Sequence, residues 1–230
     1  MKHDETRLRD RGALARFDAQ PRGQSMLWFV RDLPNAITLA GLVLSLLAIF
    51  WAVTGMYAAA MVALLWASLF DWFDGPVAKR MANRPEESHA FGVQLDSFSD
   101  LVSSSVAPAI ILLGIGEWSA WYLPGAILIV MAGVIRLSFF NVYGLSSDQS
   151  YQGLPVPANT ILLTSVFLVY GLVDMRLFQT LLYASMLLMA TLNVAHFRFP
   201  KPRGGWYAAI VVYTLVLTLF YAWRMPLASQ

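Results

Sequence analysis

The stretch DWFDGPVAKRMANRPEESHAFGVQLDSFSD, residues 71–100, sets four aspartates in two pairs inside otherwise apolar sequence. Asp71 and Asp74 follow the run MVALLWASLF, and Asp96 and Asp100 precede LVSSSVAPAIILL. Both flanks predict membrane helices, so the chain reads as an all-α polytopic membrane protein. A carboxylate in such a helix is costly and marks a functional site by default. Spacings of three and four put each pair on one helical face. Two helix ends can then aim four carboxylates at one small volume, where they repel one another unless cations neutralise them. An all-oxygen donor set suits Mg²⁺, Mn²⁺ or Ca²⁺ rather than zinc or copper.

Composition agrees. Of 230 residues 58% are hydrophobic and 13% charged, and the mean hydropathy is +0.58. That is too apolar for an ordinary soluble domain. There is no cysteine, which excludes disulfides and thiolate metal sites. His3, His89 and His196 are scattered, which argues against a zinc cluster. No nucleic-acid motif is present, and the first thirty residues are too charged for a secretory signal.

Outward from the carboxylates, apolar runs predict seven spans: 34–54, 57–81, 91–115, 119–143, 156–173, 177–198 and 205–223. Residues 1–31 form a basic N-terminal segment, in which TRLRDRGALARF reads either as a surface-lying amphipathic helix or as a solvated tail. Residues 32–203 form the transmembrane core, and 204–230 add a last helix and tail. Asp32 is expected to cap the first span, with Pro34 in its first turn. Asn35 and Thr38 share a face there, and packing or solvation is the plain reading of both. Pro108 is expected to kink the third span. Seven of the sixteen Lys and Arg lie in residues 1–31, and six more fall in two loops on the same side. Arg176 and Arg224 alone lie opposite, and Arg136 is inside a span. The bias predicts a cytoplasmic N-terminus, with the carboxylates near the cytoplasmic face of the inner membrane.

The central stretch also resembles the signature of the CDP-alcohol phosphatidyltransferases, D-x-x-D-G-x-x-A-R, a spacer, then G-x-x-x-D-x-x-x-D. Here it stands as Asp71, Asp74, Gly75, Ala78 and Lys79, then Gly92, Asp96 and Asp100. Only Lys79 departs in type, replacing the arginine. The resemblance implies that Asp71, Asp74 and Asp96 bind one or two Mg²⁺ or Mn²⁺ ions. It implies that Asp100 is the general base and can touch a second ion. Gly75, Ala78, Lys79 and Gly92 would contact the CDP-lipid, the two glycines by close backbone approach. A Pro-Asn at the start of the first span also recurs in the family near the nucleotide. Lysine neutralises a phosphate without the bidentate fork of arginine, and Arg80 lies about 100° further round the helix. A homodimer is implied as well.

Later stretches narrow the resemblance. GVQLDSFSDLVSSSVAPA, IRLSFFNV, YQGLPVPA and LNVAHFRFPK are similar to blocks of the bacterial type II phosphatidylserine synthases within that family. They imply transfer of phosphatidyl from CDP-diacylglycerol to L-serine, with release of CMP. Arg136 would then hold the serine carboxylate or a phosphate, with Asn141 nearby; the plain alternative pairs Arg136 with the aspartates or the interface. Tyr151, Gln152 and Gly153 read as a connecting loop or a substrate-side flap. Twelve residues separate Lys79 from Gly92, where most members have eight. That spacer and Asp74-Gly75-Pro76 are similar to phosphatidylcholine synthases, which keeps choline as the alternative acceptor. A cation transporter is the alternative of another class, although no repeat is visible and the acids lie toward one face. An interhelical ionic network with Lys79, Arg80 and Arg136 is the purely structural alternative.

Overall fold

A computed structural model describes residues 25–81, 84–144, 150–200 and 204–225. The expected N-terminal amphipathic helix, residues 6–17, lies outside these. A short 3₁₀ turn, Met26–Arg31, leads into α1 (Leu33–Val53) and α2 (Tyr57–Arg80). Then come α3 (Glu86–Leu101), a π turn (Val102–Val106), α4 (Ala107–Ile115) and α5 (Leu123–Tyr143). Strand β1 (Ser150–Gln152), α6 (Pro157–Val166), α7 (Met175–Val194), strand β2 (Arg198–Pro200) and α8 (Gly205–Arg224) complete the described chain. Six helical stretches are long and apolar enough to cross a membrane, with α3 to α4 counted as one. The protein is an all-α polytopic membrane protein. The fifth expected span is shorter than a full crossing: α6 and a 3₁₀ turn cover only Pro157–Val169.

Helices α1 and α2 pack closely because their facing sides are small. Gly41, Ser45, Ala48 and Ala52 lie along one buried stripe of α1, and Ala59, Ala60, Ala63 and Ala67 are buried on α2. A Cβ on Gly41 would come within 3.3 Å of the Ala67 carbonyl. In lipid, such stripes bring backbones together where apolar burial alone does not. Gly55, at φ +78°, makes the reversal between the two helices.

Pro108 disturbs the third span differently from a simple kink. Lacking an N–H, it cannot bond the Ser104 carbonyl one turn earlier. The side-chain amide of Asn159 donates to that carbonyl instead, at 3.0 Å. Just before the proline the helix widens, and the Ala107 amide reaches back five residues to the Val102 carbonyl. Ser104 also meets Thr160 at 3.2 Å between hydroxyls, which ties α6 to the π turn. Asn159, Thr160 and Thr164 are thus buried by polar pairing, and α6 is an internal helix with three polar positions on its buried side.

Up-and-down connectivity gathers the start of α1, the end of α2, the start of α3, the end of α5 and the start of α8 at one end of the bundle. The apolar core lies away from that end, with Met61, Leu64, Ile111, Leu112, Ile129 and Phe167 fully buried. Strands β1 and β2 pair antiparallel, Tyr151 opposite Phe199, and form a small ribbon at the same end as the carboxylates.

Candidate active site

The last turns of α2 carry Asp71 and Asp74, and the last turns of α3, just before the π turn, carry Asp96 and Asp100. One carboxylate oxygen from each of Asp71, Asp74 and Asp96 lies within 4.8 Å of the other two. Asp100 is buried, and its Oδ1 has no hydrogen-bond partner. Among the described residues, no ion pair within 4.0 Å joins these carboxylates to Lys79, Arg80 or Arg136; the pair present is Arg84 with Asp32. The alternative of an interhelical ionic network is therefore not what the fold builds. Three convergent oxygens with an orphaned buried acceptor beside them suit a hard divalent cation.

Neighbours hold the cluster. The Thr38 hydroxyl donates to Asp74 Oδ2 at 2.5 Å, so this α1 residue does more than pack. Pro76 sits inside α2 and leaves the Trp72 carbonyl without its helical donor, in the turn that carries Asp71 and Asp74.

Two cavities meet at the carboxylates. The first, about 300 Å³, is lined by all four aspartates together with Arg136, Tyr151 and Tyr207. The second, about 250 Å³, is bordered by the same Asp74 and Asp96 and by Asn35, Ala78, Arg84 and Gly92. Gly75 and Lys79 face both. A Cβ on Gly75 would meet nothing within 4 Å, so backbone is open to a ligand there. Gly92 differs: its Cβ would fall 2.5 Å from Asn35 Oδ1 and 2.7 Å from Arg84 Nη2. The protein's own side chains already require that glycine.

Asp32 occupies the N-cap position of α1 but makes no capping bond. Its carboxylate accepts from Arg84 Nε at 2.9 Å and Nη2 at 2.6 Å. Both side chains are under a tenth exposed, and removing one partner of such a pair typically costs about 3–5 kcal/mol. Arg84 also donates to Asn35 Oδ1 at 2.8 Å and to the Ser88 carbonyl. Arg84 belongs to the lengthened spacer, where sequence reading counted it only as a topological charge. Its partners lie 52 and 49 positions away, beyond any local pattern.

Arg136 is 5% exposed and lines the first cavity. Its Nε is buried without a partner. The guanidinium lies 5.5 Å from the Phe140 ring centre and 5.7 Å from that of Tyr151. Tyr151 sits on the ribbon, and burial raises its phenol pKa while the nearby guanidinium opposes that shift. Tyr207, from the helix placed beyond the core by sequence, packs edge-on against Trp72 and shares this wall. Asn141 lies elsewhere: it is exposed, bonds Ser97 at 3.0 Å, and is not among the residues lining either cavity. Trp72 and Tyr207 carried no motif signal of their own, whereas Tyr151 belongs to the YQGLPVPA block and was read as part of a connecting loop or a substrate-side flap.

The profile of CDP-alcohol phosphatidyltransferases matches residues 31–196. An archaetidylserine synthase from Methanothermobacter thermautotrophicus is 33% identical over 137 residues, which span 59% of this chain and 58% of that protein. A CDP-diacylglycerol–serine O-phosphatidyltransferase from Methanocaldococcus jannaschii is 31% identical over 151 residues, 66% of this chain and 68% of the other. One of the same description from Helicobacter pylori is 27% identical over 190 residues, 80% and 78% of the two chains. With two convergent carboxylate pairs inside the matched region, the chain belongs to the CDP-alcohol phosphatidyltransferase family.

Proposed function

We propose that the protein is a CDP-diacylglycerol–serine O-phosphatidyltransferase of phospholipid biosynthesis. The observation that carries the acceptor is Arg136: a buried guanidinium without a hydrogen-bond or ion-pair partner among the described residues, in the cavity that also holds Asp100. Such a group suits the carboxylate of an amino acid. It disfavours choline, whose ammonium would meet an unpaired cation.

Asp71, Asp74 and Asp96 would hold one or two divalent ions, Mg²⁺ or Mn²⁺. When bound, the metal supplies charge neutralisation for the pyrophosphate and the departing nucleotide. Thr38 keeps Asp74 turned toward the cluster. The second cavity, with Ala78, Gly92 and one face of Gly75 and Lys79, takes the CDP moiety. The first takes serine, and Asp100 accepts the proton of its hydroxyl. The serine oxygen forms a bond to the phosphorus that bears diacylglycerol, and the bond from that phosphorus to the CMP oxygen breaks. CMP leaves with the electron pair. Asn141, outside both cavities, would act on serine only through Ser97 or the helix end. The site faces the cytoplasm from the inner membrane, as the basic loops direct, and the enzyme works as a homodimer, which light scattering of the detergent-solubilised protein measures.

The test is CMP release from CDP-diacylglycerol by purified protein with Mn²⁺ or Mg²⁺, comparing L-serine, choline, inositol and glycerol 3-phosphate. Serine-dependent release, abolished by EDTA and by Asp100→Asn, is expected. Release with choline in place of serine would reassign the acceptor. Folded protein inactive with every acceptor would refute the reading.

A further inference from the structure

A third cavity, about 310 Å³, opens at the end of the bundle opposite the carboxylates. It is lined by Tyr57 and Ala58 at the start of α2, Phe167 and Tyr170 after α6, and Tyr221 and Arg224 at the end of α8. Asp71 lies fourteen positions after Tyr57 on α2, which is roughly 20 Å along the axis at 1.5 Å per residue. The two sites therefore lie near opposite faces of one bilayer.

The polar groups here are chiefly donors. Arg224 is the sole ionised side chain among the lining residues. One of its nitrogens donates to the Tyr170 carbonyl, and its guanidinium lies 5.6 Å from the Phe220 ring centre. A Cβ on Gly171 would come within 2.9 Å of the same nitrogen, so the loop leaves room for the guanidinium at this spot. The remaining guanidinium N–H groups have no partner among the described residues. The Tyr57 and Tyr170 hydroxyls have none either, although their rings pack at 5.6 Å. Met56 provides no side-chain cap for α2, so the positive end of that helix adds to the field. Among the described residues, no carboxylate lines the space. The rings of Tyr57, Phe167 and Tyr170 form an apolar wall beside these donors.

We propose that this cavity binds the phosphodiester headgroup of a glycerophospholipid from the leaflet opposite the catalytic one. Arg224 and the two phenols receive the phosphate, and the aromatic wall receives the glycerol and the first part of an acyl chain. The bound lipid acts as neither substrate nor product. It joins the start of α2 to the segment after α6, which meet through aromatic packing, and to the end of α8, which is held there by hydrogen bonds from Tyr221 and Arg224. The inference is independent of the acceptor and of turnover.

The test uses full-length protein, stripped of lipid in neutral detergent with EDTA and titrated with phosphatidylglycerol, diacylglycerol or inorganic phosphate. Native mass spectra and the thermal midpoint report binding. Phosphatidylglycerol is expected to bind and raise the midpoint, while diacylglycerol does not. Tyr57→Phe/Tyr170→Phe keeps both rings and the Arg224 bond, and is expected to weaken binding roughly tenfold or more, because hydrogen bonds to a charged group are removed. Arg224→Gln is expected to weaken it further. Asp74→Asn is expected to leave it intact. Equal affinity in the double phenylalanine variant, equal binding of diacylglycerol, saturation by inorganic phosphate alone, or loss of binding in Asp74→Asn would each overturn the proposal.

Discussion

Replacing Thr38 with valine removes one hydroxyl at nearly constant volume, in a residue only 4% exposed. The hydroxyl donates to Asp74 Oδ2 at 2.5 Å and approaches the Pro34 carbonyl at 3.1 Å. A hydrogen bond to a charged group contributes about 1.5–3 kcal/mol. At about 1.4 kcal/mol per tenfold, that corresponds to roughly ten- to hundredfold. Loss of a partner that orients a metal ligand typically weakens metal binding by about the same factor. The Mn²⁺ concentration for half-maximal CMP release is therefore expected to rise about tenfold or more in Thr38→Val. Saturating Mn²⁺ should restore most of the maximal rate, and Thr38→Ser should behave like the parent. An unchanged metal midpoint, or a lost rate that excess metal cannot restore, would refute the orienting role.

Two further perturbations test the frame around the site. Asn159→Ala leaves the Ser104 carbonyl without its donor, and should lower stability by about 1–3 kcal/mol in a thermal or denaturant assay. Adding Pro108→Ala supplies a backbone N–H and should recover part of that loss; strict additivity of the two changes would show that they do not share the carbonyl. Gly92→Ala forces Asn35 and Arg84 aside, an overpacking worth about 1–3 kcal/mol. The KM for CDP-diacylglycerol should rise while the KM for serine stays near its parent value, and a change in serine KM alone would misplace the second cavity.

The carboxylate pairs were legible because helical period and membrane cost act locally: spacing alone puts Asp71 beside Asp74, and Asp96 beside Asp100. The same physics located the long spans. What failed to show was pairing across distance. Asp32 was rightly placed at the start of α1, yet its carboxylate turns from the local amides to Arg84, whose fork offers two charge-assisted bonds. Strands β1 and β2 are three residues each, too short for an alternating pattern. The fifth span looked complete because hydropathy does not register that Thr160 and Thr164 are satisfied inside the bundle. Arg136 was visible as an anomaly, and the cavity around it explains why its charge has no partner within the described protein.

The π turn at Val102–Val106 has a consequence for how the chain tolerates change in length. One extra residue in a helical turn rotates all that follows by about 100° relative to an unbroken α-helix. Asp96 and Asp100 on one side, and Ile111, Leu112 and Ile115 on the other, are therefore held at an angular offset that composition does not encode. Substitutions among Val102–Val106 alter packing by increments. Deleting one residue there would keep the hydropathy and nearly the full span, yet would turn the carboxylates against their own core by slightly more than a right angle. The segment acts as a phase adjuster, in which the number of residues matters more than their kind.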